Sequence, residues 1–409
     1  DSSIALSYNN IGYNYYYLER TDSALHYYRK AISLAEAGDP GSDRLNLAMY
    51  YQNAGIIFAL QGRLDTALNY LVLSSKIRER FLPDDDPDLG YTYTNLGRLY
   101  RMLGDNIKAF EYNNKAEQVY IKHFGNDYPG LGTLYLNLGN ILNVMGDYEK
   151  AISYYKQSLH IYLGGSNPRH HNIARLYNNL GAMYLELGAD SMAASYLQQS
   201  LKATDNPVLA LIALRNLARL HQERKEYAIG KAYLDEGMAL SKNKIDTNHY
   251  EYGNLLLDYG SLLKEMGTLD EALLYAEKGT LFFQRLYGHA HPDLSSAMQL
   301  KADIFMAQGD FREALHQYHE ALRVLVPDLT DTSYLENPKV AGGLINSSVL
   351  GPIIGKASCL RALAGTPPDP LLLRQSLEVL LDASEIVDGI RNQLTDQSKQ
   401  LITGTVRKL

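Results

Sequence analysis

Thr94-Asn95-Leu96-Gly97 is the stretch from which the chain can be read. Its Asn-Leu-Gly core returns in Leu136-Asn137-Leu138-Gly139 and Asn178-Asn179-Leu180-Gly181. Looser copies are Asn10-Ile11-Gly12, Asn53-Ala54-Gly55, Asn216-Leu217-Ala218, Asp258-Tyr259-Gly260 and Leu300-Lys301-Ala302. The small residue closing each copy stands at 12, 55, 97, 139, 181, 218, 260 and 302, at spacings of 43, 42, 42, 42, 37, 42 and 42. A period this regular marks a repeat array, in which each unit buries its apolar face only by stacking on a neighbour.

Four residues before the small residue stand Tyr8, Tyr51, Tyr93, Tyr135 and Tyr177, then Leu214, Leu256 and Met298. Three residues after it stand Tyr15, Phe58, Tyr100, Leu142, Tyr184, His221, Leu263 and Phe305. Offsets of three and four put these on one face of a helix. Seven residues after comes Gly62, Gly104, Gly146, Gly188, Gly267 or Gly309, the residue that ends a helix in a left-handed turn. Acidic residues then open a second helix: Asp65, Asp105, Asp147, Asp270 and Asp310. Twelve after comes Ala24, Ala67, Ala109, Ala151, Ala193, Gly230, Ala272 or Ala314, small so that two backbones can cross closely. The sixth copy arrives five residues early, has Lys225 for the turn Gly and Gly230 for Ala, and is expected to change the local curvature over 200–235.

This pattern resembles the tetratricopeptide repeat, with Tyr where its Trp usually stands. The joins Phe81-Leu-Pro-Asp-Asp-Asp-Pro-Asp-Leu, Phe124-Gly-Asn-Asp-Tyr-Pro-Gly-Leu and Tyr287-Gly-His-Ala-His-Pro-Asp-Leu resemble those of the long, kinesin-light-chain-like variant. The resemblance implies an all-α, right-handed α-α superhelical solenoid of eight helical hairpins over 1–326. After Val326 the period stops. Residues 327–409 are expected to form a capping helical hairpin, roughly 339–364 and 371–394, and from Gln397 the start of a linker helix to a further domain. Leu325-Val-Pro-Asp-Leu and Ile386-Val-Asp-Gly-Ile-Arg-Asn-Gln-Leu leading into Ser398-Lys399 resemble the junction of bacterial CHAT proteins, where such arrays meet a caspase-like protease domain. That resemblance implies the regulatory arm of a protease whose catalytic residues lie outside this chain.

Composition narrows the function. A net charge of −7 argues against general affinity for nucleic acid. No run of 18 apolar residues exists to span a membrane. The single Cys359 excludes an internal disulfide framework, and its place in an apolar helical pattern reads as a buried thiol. His170-His171 and His289-Ala-His291 read as surface residues of the joins, so neither metal nor cofactor is expected. The chain opens at Asp1 without Met or a signal peptide and reads as a piece of something longer, with the cytoplasm as default location.

The informative position is two before the small residue: Asn10, Asn53, Asn95, Asn137, Asn179 and Asn216. Asn is a mediocre helix former, so its recurrence in register needs a reason. The resemblance places it on the first helix of each pair, facing the concave surface, where a ladder of carboxamides offers donors and acceptors to the main chain of an extended segment. The alternative is that each Asn bonds a neighbouring helix and fixes repeat-to-repeat geometry. Arg98, Arg101, Arg175, Arg215 and Arg219 with Tyr13, Tyr16, Asn140 and Asn143 complete the expected groove. Five arginines on one face of an acidic chain suggest an acidic segment, unless Glu186, Glu223 and Glu265 pair with them. The expected protein is a non-catalytic, peptide-binding scaffold, monomeric by default, with the sensor arm of a histidine kinase or a self-associating scaffold as rivals.

Overall fold

The computed structural model describes residues 2–38, 44–165, 170–245, 248–326, 329 and 347–393. Every regular element among them is helical. Eight pairs follow in chain order: α1 (Ser2–Tyr17) and α2 (Thr21–Ala37); α3 (Arg44–Leu60) and α4 (Leu64–Phe81); α5 (Pro87–Met102) and α6 (Asn106–Phe124); α7 (Pro129–Val144) and α8 (Tyr148–Gly164). Then come α9 (His170–Glu186) and α10 (Asp190–Lys202); α11 (Pro207–Glu223) and α12 (Tyr227–Lys244); α13 (Tyr250–Glu265) and α14 (Leu269–Tyr287); α15 (Pro292–Gln308) and α16 (Phe311–Leu325). A 3-10 turn at Ser347–Val349 leads into α17 (Leu350–Leu363), which pairs with α18 (Pro370–Gln393). The architecture is that of an α-α superhelix built from helical hairpins. The chain divides into two compact units, Asp1–Leu176 and Tyr177–Leu409.

The close crossing expected within each hairpin is present. A Cβ on Gly12 would lie 3.1 Å from the Ala24 carbonyl oxygen, one on Gly55 3.3 Å from that of Ala67, and one on Gly97 3.2 Å from that of Ala109. The sixth repeat keeps the crossing by exchange: Ala218 sits on the first helix, and Gly230 on the second comes so near that a Cβ there would lie 3.1 Å from the Ala218 carbonyl oxygen.

The turn between paired helices is equally uniform. The residue seven after the small one has positive φ in all eight repeats, including the two without glycine: Glu19 at 59° and Lys225 at 60°. In each, the next N–H donates back to the carbonyl of the residue three after the small one, as in Arg63 N to Phe58 O at 2.9 Å and Glu226 N to His221 O at 2.8 Å. This is the bonding of a Schellman cap, and it holds the hairpin angle whatever side chain stands there. Asp105, Asp147 and Asp310 then cap the second helix, each accepting from the N–H three residues on.

Aromatic side chains fill the wedge behind the crossing. Tyr100 stacks on Tyr112 at 5.3 Å between centroids, Tyr184 on Tyr196 at 5.5 Å and Tyr15 on Tyr27 at 5.5 Å. Tyr8, Tyr93 and Tyr177 lie against the same second-helix rings at about 6 Å. The second-helix tyrosine, fifteen after the small residue, is a member the single-helix spacing did not reveal. At the far end, Ile353, Leu360, Val379 and Ile386 of α17 and α18 share one buried cluster with Leu315 and Leu322 of α16. Cys359 is fully buried, its Sγ 3.1 Å from Met306 Sδ, and burial pushes its pKa up to about 12. The helix expected over 339–364 is found as the turn Ser347–Val349 and α17, Leu350–Leu363, while residues 330–346 and the linker helix expected from Gln397 lie outside the described residues.

Gly139→Ala puts a Cβ 2.5 Å from Cε1 of the fully buried Tyr155 and is expected to cost about 1–3 kcal/mol in urea unfolding, with Ala151→Leu in the same range. Lys225→Gly and Glu19→Gly, which relieve a left-handed L-residue, are expected to stabilise by about 0.5–1 kcal/mol.

Candidate functional site: the face of the first helices

Within each unit, successive first helices touch one another: α1 with α3, α3 with α5, α11 with α13 and α13 with α15. Successive second helices show no comparable contact among the described residues. The first helices therefore line the inner side of each stack, and the residues two before and one after the small residue lie on them.

The Asn ladder divides between two roles. Asn53 Nδ2 donates to Asn9 Oδ1 at 2.9 Å, and Asn216 Nδ2 donates to Asn178 Oδ1 at 3.0 Å. In the seventh repeat, Asp258 accepts from Arg215 Nε at 2.5 Å. The rule is common to all three: the ladder residue bonds the side chain three before the small residue of the preceding repeat. The acceptors Asn9 and Asn178 are buried, so these bonds seal the seam between repeats. Asn95 turns inward as well, its Nδ2 donating to Tyr91 O of its own helix at 3.1 Å. Asn10 is exposed, while Asn137 and Asn179 are half-buried. The doubled Asn9-Asn10 and Asn178-Asn179 were the visible signal of this pairing.

The five arginines do not form one cationic face. Arg215 lies between Glu251, which it contacts through Nη1, and Asp258. Burial pulls its pKa down, but the two carboxylates reverse that and hold it above its ordinary value. Arg219 Nη2 is 2.8 Å from Glu186, with Glu223 at 3.8 Å from its Nε. Arg175 Nη2 reaches Asn172 Oδ1 at 3.4 Å. Glu265 pairs instead with Lys264 at 3.3 Å. Arg98 and Arg101 are different: both are exposed on α5 and form no ion pair among the described residues. The expectation of five free arginines reduces to these two, because each of the others has an acceptor within reach on its own or an adjoining helix.

Around them the first unit presents tyrosine. Tyr13 and Tyr16 are exposed on α1, and Tyr17 and Tyr91, absent from the expected groove, are exposed with them. The Tyr13 and Tyr17 hydroxyls are 2.9 Å apart with rings edge to face at 4.7 Å. The hydrogen bond to Tyr17 is the main cause holding the Tyr13 pKa above its ordinary value, and Tyr91 also raises it. Asn140 Oδ1 accepts from Tyr155 at 2.9 Å, and Asn143 is half-buried one turn further along α7.

A second buried cation braces the first unit. Arg78 Nη1 donates to Gln52 Oε1 at 2.9 Å, to Thr92 Oγ1 at 2.6 Å and to the Asp88 carbonyl at 3.0 Å, joining α3, α4 and α5. Burial lowers its pKa against the opposing pull of Asp88. Among the histidines, His291 caps α15 by accepting from Asp293 N at 3.2 Å and stacks on Tyr287 at 3.6 Å. Arg215→Ala strands the buried Glu251 and is expected to cost about 3–5 kcal/mol, read as a lowered urea midpoint; Arg215→Met with Glu251→Leu and Asp258→Leu recovers most of it.

The sequence profile of the tetratricopeptide repeat matches residues 3–80 and 130–206. The RxLR effector protein SFI4 of Phytophthora infestans is 28% identical over 148 residues, 35% of this chain and 37% of that protein. The chain thus spans little more than a third of the length of that relative. Among solved structures, the apo quorum sensor NprR of Bacillus thuringiensis superposes with a TM-score of 0.65 at 15% identity, over 79% of this chain and 88% of that one. A tetratricopeptide repeat protein of Parabacteroides merdae gives 0.51 at 18% identity, over 70% and 94%. At such identities the likeness is one of fold. The profile marks residues 3–80 and 130–206 as tetratricopeptide repeats, and the crossing, the left-handed turn and the likeness to these structures give the rest of the described array the same fold.

Proposed function

We propose that the protein is a non-catalytic binding module that holds an extended segment of a partner protein, of acidic character, along the inner face of residues 1–176. The observation that carries this is the pair Arg98 and Arg101: exposed cations without an ion pair among the described residues, on the first helix of a hairpin in an otherwise acidic chain. Arg98 stands one residue after the small residue of its repeat, the register of Tyr13 and Asn140, and Arg101 shares the register of Tyr16 and Asn143. Two charges for carboxylates and carboxamides of Asn10 and Asn137 for main chain form a set that an extended acidic peptide satisfies. The exposed Tyr13, Tyr16, Tyr17 and Tyr91 supply flat apolar area with a polar tip. Because the helices are preformed, ordering cost falls mainly on the ligand.

Asn179, Arg175, Arg215, Arg219, Asn53, Asn95 and Asn216 take a supporting place in this reading: most are held by bonds within the protein. Solved relatives in fold include a quorum sensor, which accords with a sensing or regulatory arm. An alternative, drawn from the resemblance of the tail to CHAT junctions, is that this arm belongs to a protease, and the reading frame beyond Leu409 tests it through a downstream His and Cys. The buried, high-pKa Cys359 is unsuited to be a nucleophile here.

Arg98→Glu with Arg101→Glu, and separately Asn137→Ala, are expected to weaken capture of a fluorescein-labelled poly-glutamate peptide at least about tenfold, or about 1.4 kcal/mol. The Arg pair is expected to leave the melting temperature nearly unchanged, since both side chains are exposed. Asn53→Ala and Asn216→Ala are expected to do the reverse, lowering stability by about 1 kcal/mol with little effect on capture. Unaltered capture by the Arg variant sinks the proposal.

A further inference from the structure

The seventh repeat departs from its neighbours on the outer side of its second helix. Twenty-one residues after the small residue the other repeats carry Ser33, Lys76, Gln118, His160, Lys202, Ala239 and Arg323, small or polar as a solvated surface requires. The seventh carries Leu281, 62% exposed. Leu281 lies beside a groove of about 410 Å³ between α13 and α14, whose walls also include Tyr252, Leu256, Phe282 and Leu286. Phe282 sits deep in its wall because Gly253 has no side chain: a Cβ there would overlap the ring. Tyr252 meets Phe282 edge to face at 5.8 Å. Among the described residues the charged side chains lining the groove are Lys278 and Arg285, seven residues apart and so on one stripe of α14 with Leu281 between them. The last turn of α12, a few residues before the groove, adds Lys242 and Lys244. The nearby carboxylate of Glu251 is taken by Arg215 and does not line the groove.

We infer that this groove is a second docking site, for a short amphipathic segment of a partner protein whose apolar side chains cover Leu281 and Phe282 and whose carboxylates meet Lys278 and Arg285. Charge decides the occupant: an apolar trough flanked by two cations, with no acid among the described residues of its lining, selects a segment that mixes leucine-like side chains with Asp or Glu. The trough runs along two turns of α14, about 12 Å, enough for a helical segment presenting two or three anchors. It shares no residue with the inner face of residues 1–176, so the two sites can be separated by mutation.

The test uses the whole chain and a fluorescein-labelled helical peptide of alternating Leu-Leu and Asp/Glu pairs, with a twin in which every acid is Lys. The acidic peptide is expected to bind saturably with Kd near or below about 100 µM in fluorescence anisotropy, and its Lys twin at least about tenfold more weakly. Lys278→Glu with Arg285→Glu, and Leu281→Gln alone, are each expected to weaken the acidic peptide at least about tenfold. Arg98→Glu with Arg101→Glu is expected to leave it unchanged. These are exposed side chains, so a melting curve matching the parent separates lost docking from lost folding. Equal binding of the two peptides, no saturable binding, or unchanged affinity in folded Leu281→Gln would overturn the inference. So would a concentration-dependent dimer abolished by Leu281→Gln, which would give the groove to a second copy.

Discussion

The repeats of this protein depend on one contact: a small residue on the first helix lying against the backbone of the second. At Gly12, Gly55 and Gly97 the missing Cβ leaves the opposing alanine carbonyl a little over 3 Å from where that carbon would be. Helices that cross this closely leave a narrow wedge on either side. On one side it is filled by the second-helix residue sixteen after the small one, such as Tyr28 or Tyr155. On the other it is filled by the stacked rings typified by Tyr100 and Tyr112. The left-handed turn fixes the angle at which the helices meet, and it holds even at Glu19 and Lys225, where tertiary packing outweighs an unfavourable local conformation.

Hydrogen bonding then connects one repeat to the next. Tyrosine hydroxyls reach carboxylates of the preceding second helix, as Tyr51 does to Glu36 at 2.5 Å and Tyr93 to Glu79 at 3.1 Å. On the inner side, Asn53 to Asn9, Asn216 to Asn178 and Arg215 to Asp258 perform the same task. A polar seam suits a solenoid: neighbouring units meet over a small area, and each buried polar group must find its partner across the boundary, which fixes register as well as contact. What the seam does not consume remains for a partner. On the first unit that remainder is concentrated in α1, α5 and α7, as exposed tyrosines, two arginines without an ion pair among the described residues, and the carboxamides of Asn10 and Asn137.

Much of this was legible in the residues. The period, the Gly–Ala crossing and the turn position all follow from steric demands that act within a few residues or recur identically, so they leave an imprint at fixed offsets. The sixth repeat shows how far that reaches: Gly230 for Ala looked irregular, yet with Ala218 opposite it the sum of the two side chains is unchanged. The tyrosine fifteen after the small residue, Tyr112 or Tyr196, escaped because its partner lies on the other helix and no single-helix spacing connects them. Leu281 breaks a column that the sequence offsets already align, but the groove beside it depends on Phe282 packing against Gly253 of the other helix.

The sequence by itself determined the architecture, because backbone crossing, helix termination and apolar periodicity are local constraints that admit few side chains. It also singled out the inner positions at which polar residues recur. Only the tertiary structure decided which of those polar groups are already spent. An asparagine or arginine looks the same in a sequence whether its partner is a neighbouring helix or a ligand. The difference is set by distances across the stack: Asn9 lies 2.9 Å from Asn53, whereas no carboxylate pairs with Arg98 or Arg101 among the described residues.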